Sequence, residues 1–196
     1  MAQDSSSSQF WDTRYRGGVT PWDAGRVPPK LAQWLPRQWV GRRVLVPGCG
    51  SGYELRAFAE HGDDVLGIDF ADAAIEAARR TLGELAARVR QADFFTLDAP
   101  PFELVYERTF LCALPLRERP RWARRIAELV AGAGALAGFF YFGDGERGPP
   151  FGITAHELHA LLDPAFALLE DDAVPAAQSV PALAGKERWQ VWKRRL

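Results

Sequence analysis

The sequence predicts an α/β fold: a doubly wound, mostly parallel seven-stranded sheet with an antiparallel pair at its C-terminal edge and an N-terminal helical lid. Three observations carry this. From residue 43 onward, short apolar β-branched runs alternate with segments of helical spacing, the signature of a parallel sheet flanked by helices. The turn Gly48-Cys49-Gly50-Ser51-Gly52 falls between the first such run and the helix after it, where open α/β sheets bind their ligands. The last two runs, 166–170 and 188–193, have no helix between them, so they are expected to pair antiparallel.

Each element has a local reason. Residues 1–9 are polar and Ser-rich and are expected to be disordered, leaving one domain over 10–196 with a lid at 10–40. In the lid, a short helix over 10–15 is broken by Gly17-Gly18, and Thr20-Pro21-Trp22-Asp23 reads as a turn. Val27-Pro28-Pro29 then precedes a helix through Leu31, Trp34 and Leu35, with proline at its start. The first strand is 43–47, followed by a helix to His61, a strand at 64–69 and a helix over 71–89. Strands follow at 89–93 and 103–111, then an amphipathic helix over 117–131 and an apolar strand at 135–142. After a Gly/Pro-rich loop at 143–152, a helix over 154–162 opens on the capping box Thr154…Glu157.

Composition narrows the function. The 196 residues suit one domain, and 47% hydrophobic with 25% charged residues is ordinary globular content. A formal charge of −1 gives no footprint for nucleic acid, so no nucleic-acid partner is expected. With neither a membrane-length apolar run nor a leader pattern, the expected setting is cytoplasmic, with no membrane partner. Cys49 and Cys112 cannot build a disulfide framework, and His156 with His159 lacks a third ligand of suitable spacing, so no metal is expected. The 21 Arg against 3 Lys remove most candidates for a catalytic lysine. Four of the seven Trp (Trp11, Trp22, Trp34, Trp39) lie in the first 39 residues, as if a segment folds over something; equally, the rings only pack the segment down.

The glycine turn gains meaning from two acidic residues. Asp69 ends the second strand 17 residues beyond Gly52, where a carboxylate can accept both hydroxyls of a ribose, with Phe70 beside it. Asp93 ends the third strand next to Phe94 and Phe95, where a carboxylate can accept from an adenine amino group while a ring borders the base. Both could instead be turn formers. A dinucleotide would set its pyrophosphate at the helix N-terminus, but Glu54 occupies that first turn and would repel it. S-adenosylmethionine has the nucleoside without the phosphate, so the residues favour a methyltransferase.

The motifs resemble the thiopurine S-methyltransferase family, which includes halide/thiol methyltransferases. The likeness runs through Phe10-Trp11-Asp12-Thr13-Arg14-Tyr15, Thr20-Pro21-Trp22-Asp23 and Val44-Leu45-Val46-Pro47-Gly48-Cys49-Gly50-Ser51-Gly52. It continues in Gly67-Ile68-Asp69, Gln91-Ala92-Asp93-Phe94-Phe95 and the stretch from Tyr106-Glu107-Arg108 to Leu114, and returns in Gly148-Pro149-Pro150-Phe151 and Lys186-Glu187-Arg188-Trp189. The resemblance implies a class I, Rossmann-like methyltransferase sheet whose lid closes on S-adenosylmethionine, releasing S-adenosylhomocysteine. It implies that Trp11, Tyr15 and Trp22 line the lid and that Gly48, Cys49 and Gly50 hold the methionine moiety. Asp69 and Phe70 then meet the ribose, Asp93 and Phe94 the adenine, and Arg108 lies near the cofactor carboxylate beside Glu107. Arg119 falls where family members carry an arginine facing the substrate, although it also belongs to a run with Arg117, Arg121, Arg124 and Arg125 that reads as a solvated helix face.

The expected reaction is in-line methyl transfer to a small soft nucleophile: a thiol, thiopurine, hydrosulfide, thiocyanate or halide. Arg119 or Arg108 would favour its anionic form, and Trp22, Phe142 and Phe151 would help make an aromatic acceptor pocket. A monomer acting on a small molecule, in detoxification, fits this reading. The alternatives are a small-molecule N- or O-methyltransferase with Glu107 as base, and a non-catalytic cofactor-binding module. A nicotinamide oxidoreductase is disfavoured by Glu54 and by the chain length.

Overall fold

A computed structural model describes residues 4–143, 145 and 147–196. Seven strands form one sheet in the order β3-β2-β1-β4-β5-β7-β6. They are β1 (Arg43–Pro47), β2 (Asp64–Asp69), β3 (Val89–Gln91), β4 (Phe102–Arg108), β5 (Val130–Tyr141), β6 (Phe166–Ala173) and β7 (Glu187–Arg194). Strands β1 to β5 pair parallel, while β7 runs antiparallel to both β5 and β6. The expected antiparallel edge pair is present, with β7 inserted between β5 and β6.

Helices cover both faces: α2 (Pro29–Trp34), α3 (Tyr53–His61) and α4 (Asp72–Leu82) on one, α5 (Arg119–Leu129) and α6 (Ala155–Leu162) on the other. Strand alternation divides the core. Val44 and Val46 face the first layer with Leu55, Phe58, Ile75 and Trp189, whereas Leu45 faces the second with Trp122, Ile126, Leu158 and Trp192. Trp122, Trp189 and Trp192 are fully buried, so three of the five Trp residues other than Trp11 and Trp22 serve as core rings.

Several boundaries differ from expectation for local reasons. The helix expected over 71–89 ends at Leu82, where Gly83 has φ 58°, and the chain continues to β3 as a 3-10 turn. Strand β5 begins at Val130, directly from the end of α5, because Phe102 pairs with Val130 before the register shifts. The capping box is present: Thr154 Oγ1 accepts from the Glu157 amide at 3.2 Å, and Glu157 Oε2 accepts from the Thr154 amide at 2.8 Å.

The N-terminal segment is structured from Asp4 onward, which corrects the expected disorder for 4–9; residues 1–3 lie outside the described residues. The Asp4 carboxylate accepts from the Ser6 amide and hydroxyl, and the indole N–H of Trp11 donates to the Ser5 carbonyl at 2.8 Å. Those local bonds give the backbone of a polar, Ser-rich stretch partners that composition alone does not reveal. Helix α1 (Ser8–Arg16) follows.

Candidate cofactor and active site

The chain reverses its winding between β1 and β4, and the crevice beside their carboxyl ends is where such sheets bind ligands. A cavity of about 400 Å³ opens there, within the range of small-molecule sites. Its floor is Val46 and Gly48 to Glu54 at the end of β1, Ile68 to Phe70 at the end of β2, Ala92 to Phe95 after β3, and Arg108 to Phe110 at the end of β4. Trp11, Arg14, Tyr15, Trp22 and Asp23 of the lid form its roof.

The glycine turn is shaped by its neighbours. Gly48 has φ 58°, and a Cβ there would lie 2.5 Å from the Phe110 ring. Gly50 has φ 51°, and its Cβ would lie 2.5 Å from the Tyr15 hydroxyl. Only glycine serves at both points, one for the loop after β4 and one for the lid. Asp69 is 9% exposed; one oxygen accepts from the Gly50 amide at 3.3 Å and the other from the Ala71 amide at 3.0 Å. Burial raises its pKa to about 6, against the opposing pull of those amides. Asp93 accepts from the Phe95 amide at 2.8 Å, a turn-forming role, and also lines the cavity. Phe94 packs edge-on against Phe95 and Phe110 at 5.2 and 5.0 Å.

The lid is docked by specific bonds. Helix α4 has Ala71 at its N-cap and no side-chain cap of its own; Asp12 Oδ1 supplies one, accepting from the Ala73 amide at 2.8 Å. The Ser51 hydroxyl donates to Asp23, tying the lid to the glycine turn. Trp22 meets Trp11 and Tyr15 edge-on at 5.3 and 6.1 Å. Sequence reading missed Asp12, Asp23 and Ser51 as lid anchors, because nothing local signals a cap delivered from 61 residues away.

Most expected site residues meet at this cavity: Trp11, Tyr15 and Trp22 above, Gly48, Cys49, Gly50, Asp69, Phe70, Asp93 and Phe94 below, with Arg108 at the β4 end. Arg108 donates to Glu187 at 2.7 Å and lies 4.4 Å over the Phe139 ring, so its guanidinium is held in place. Glu107 does not line the cavity. Its Oε1 accepts from the Phe110 and Leu111 amides, each at 2.9 Å, while burial raises its pKa to about 7. Thr109, itself on the cavity wall, has φ 55°, rare for a β-branched residue, where the chain leaves β4 for Phe110, whose ring packs on Gly48.

Arg119, Phe142 and Phe151 are not brought to the cavity wall; Pro149 and Pro150 of the same loop are. Arg119 is not part of a solvated face. It is 7% exposed and shares a buried helix face with Trp122, Ala123 and Ile126, so its guanidinium runs under the 143–152 loop to donate to the Gly152 carbonyl. Arg121 lines the cavity instead, 4.2 Å over Phe95 and 3.6 Å from Glu118. Helical phase is the signal that separates them, since Arg119, Trp122, Ala123 and Ile126 follow i, i+3, i+4, i+7. Arg119→Ala is therefore expected to lower stability by about 1–3 kcal/mol, the effect of a lost buried hydrogen bond, and to leave cofactor affinity unchanged. Thermal unfolding beside a titration with S-adenosylhomocysteine checks this; unaltered stability with selectively lost turnover would return Arg119 to the substrate.

The donor set suits a phosphate-free nucleoside. A buried strand-end carboxylate stands ready for two hydroxyls, aromatic rings border the base position, and a carboxylate, Glu54, occupies the helix turn where a phosphate would sit. No helix among the described residues is long and apolar enough to cross a membrane, and no group of three or more metal-ligating side chains occurs among them.

Comparison with known proteins agrees. The sequence profile of the thiopurine S-methyltransferase family matches residues 6–195. Thiocyanate methyltransferase 1 of Arabidopsis thaliana is 30% identical over 94% of this chain and 84% of its own. A thiopurine S-methyltransferase of Xanthomonas campestris is 34% identical over 79% and 81%. In fold, the chain resembles Burkholderia thailandensis 1,6-didemethyltoxoflavin-N1-methyltransferase, solved with S-adenosylhomocysteine bound, at a TM-score of 0.78 and 18% identity over 96% of this chain and 87% of that one. The chain belongs to the thiopurine S-methyltransferase family and is an S-adenosylmethionine-dependent methyltransferase.

Proposed function

We propose that the protein transfers the methyl group of S-adenosylmethionine to a small, soft, anionic nucleophile such as a thiolate, thiopurine, hydrosulfide, thiocyanate or halide. The bound cofactor supplies a methyl group already activated on a sulfonium. The chain's own work is then to align, to exclude water and to hold negative charge. Asp69 would take the ribose hydroxyls, Asp93 and Phe94 would border the adenine, and Gly48 to Gly50 would hold the methionine moiety. Trp11, Tyr15 and Trp22 close the roof. Four arginines line the cavity, Arg14 and Arg26 from the lid segment, Arg108 at the end of β4 and Arg121 on α5, and their positive charge favours the ionised form of an acceptor.

One observation carries the choice of acceptor. An amine or alcohol must lose a proton on transfer, whereas a soft anion has none to lose. Glu107, whose pKa near 7 suits a base, is turned onto the backbone amides of Phe110 and Leu111 and stays off the cavity wall, and no histidine lines it. The relatives named for thiocyanate and thiopurine methylation support the same class. A panel of thiols, thiopurines, hydrosulfide, thiocyanate, iodide, amines and alcohols, followed by S-adenosylhomocysteine release, tests it. Turnover is expected with the soft anions alone. Turnover only with amines or alcohols would move the assignment to an N- or O-methyltransferase, and none at all with tight cofactor binding would make it a binding module.

We read the protein as a cytoplasmic monomer with a role in detoxification, formed of one domain over 10–196 whose lid at 10–40 also engages residues 4–9. Its formal charge of −1 supports a small-molecule acceptor over nucleic acid. Sedimentation equilibrium checks the oligomeric state.

A further inference from the structure

Strand β7 runs antiparallel to β5, so its amino end, not its carboxyl end, reaches the edge of the sheet where the cavity opens. The connection over 174–186, which leads into β7 from β6, arrives there with it. Two of its residues, Ala182 and Leu183, line the cavity, and Leu183 is 2% exposed. With Leu114 and Pro115 after β4, and Pro149 and Pro150 after β5, they wall the part beyond β4. A nucleoside laid across β3, β2 and β1 leaves that part to the acceptor.

Glu187 opens β7 behind this wall. Side-chain alternation puts it on the sheet face of Trp189, and puts Arg108 on the face of Tyr106, the same layer of the core. Arg108 therefore crosses the Phe139 ring of β5, 4.4 Å above it, to donate to Glu187 Oε1 at 2.7 Å. The Ser179 hydroxyl, from the connection, donates to Glu187 Oε2. Beyond Ser179 the Leu183 amide donates to the Val180 carbonyl at 3.0 Å, and the Lys186 amide to the Leu183 carbonyl at 3.1 Å. A short bonded turn thus joins the anchored hydroxyl to the wall. The Glu187 side chain is only 2% exposed, and a carboxylate so buried is costly unless both oxygens have partners. One partner here is a cation on the cavity floor; the other is the segment that forms the wall.

We infer that Glu187 is a positioning residue for methyl transfer. By accepting from Arg108 and Ser179 at once, it holds the 174–186 connection as the acceptor wall, in fixed relation to the cation on the floor. The choice of thiols to probe that wall rests on the function proposed above.

Steady-state kinetics of the full chain with thiophenol and with hydrosulfide, S-adenosylhomocysteine titration and hydrogen exchange test it. Ser179→Ala removes one arm and leaves the ion pair. It should raise KM for thiophenol roughly threefold to tenfold, the range for one hydrogen bond. KM for hydrosulfide, which spans too little of the cavity to touch the wall, and Kd for S-adenosylhomocysteine should change less than about twofold. The Leu183 and Lys186 amides should exchange roughly tenfold faster. Ser179→Thr, which restores the hydroxyl, should restore all of these. Glu187→Leu removes both acceptor oxygens, and in that background Ser179→Ala should add less than about twofold; if Glu187→Leu does not fold, the two Ser179 variants decide alone. Equal weakening of both acceptors and the cofactor, unchanged exchange at Leu183, or additive effects of the two substitutions would overturn the role of Glu187. Wild-type protein that methylates neither thiol would overturn the soft-acceptor reading instead, and exchange at Leu183 would still decide whether Glu187 holds the wall.

Discussion

Asp69→Asn is expected to raise the Kd for S-adenosylhomocysteine by roughly a hundredfold to ten-thousandfold, the loss of two hydrogen bonds to a charged acceptor at about 1.5–3 kcal/mol each. Asparagine keeps the shape of the side chain but replaces one acceptor oxygen with a donor, so it cannot receive both ribose hydroxyls. The fold should hold. The folded-state pKa of Asp69 is raised from 3.8 to about 6, so its ionised form opposes folding, and that penalty is in place once the pH exceeds about 6. Removing the charge offsets part of what the variant loses at the Gly50 and Ala71 amides. Cofactor affinity in the wild type should have the opposite pH sense. Ribose hydroxyls bond the ionised carboxylate, so binding strengthens as pH rises through about 6 and weakens below it. Calorimetry across that range checks both, and a flat profile with unimpaired Asp69→Asn binding would remove the sugar from this carboxylate.

The part of this site that sequence makes legible is the part encoded locally. Asp69 ends β2 as expected, while Asp93 follows β3 by two residues and caps the turn after it. Strand β2 begins and ends where its residues predict, because a strand between two turns is a short-range pattern. What escapes is what depends on distant partners. Asp12 reads as one more polar residue of a short helix until α4, itself without a side-chain cap, is placed against it. Arg119 and Arg121 are indistinguishable as members of a basic run, yet one is buried under the 143–152 loop and the other stacks on Phe95 at the cavity. Phe142 and Phe151 are aromatic residues beside the expected pocket, but Phe142 pairs with Ile153 and the Phe151 amide donates to the Cys112 carbonyl at 2.7 Å, which turns the loop so that Pro149 and Pro150 reach the wall. Glu107 next to Arg108 reads equally as base or as structural acceptor; the two amides at 2.9 Å decide it.

The largest expected loss of stability lies away from the cavity, at Arg42 and Asp63. Arg42 precedes β1 and Asp63 precedes β2, so their pairing sets the register in which these two parallel strands begin, Arg43 opposite Asp64. The guanidinium donates through Nε and Nη2 to the two carboxylate oxygens at 3.1 and 2.7 Å, and the Arg42 amide adds a third bond at 3.1 Å. Their side chains are only 5% and 0% exposed. Burial pushes the Asp63 carboxyl up, but Arg42 and the His61 ring more than offset it and hold its pKa below the usual value. Arg42→Leu leaves that carboxylate buried without its partner and should cost about 3–5 kcal/mol, a drop in Tm of roughly 6–20 °C for a chain of this size. Adding Asp63→Leu should recover much of the loss, because a buried pair replaced by apolar groups is far less costly than a broken one. Because the Asp63 pKa is depressed in the fold, the stability it contributes is complete above the unfolded value of 3.8 and is lost as pH falls below it. Denaturant unfolding of the single and double variants, with S-adenosylhomocysteine titration in parallel, separates this from the site. The single variant should unfold early yet bind the cofactor normally while folded, the reverse of Asp69→Asn, and a coupling near zero between the two positions would show that the pair does not act as a unit.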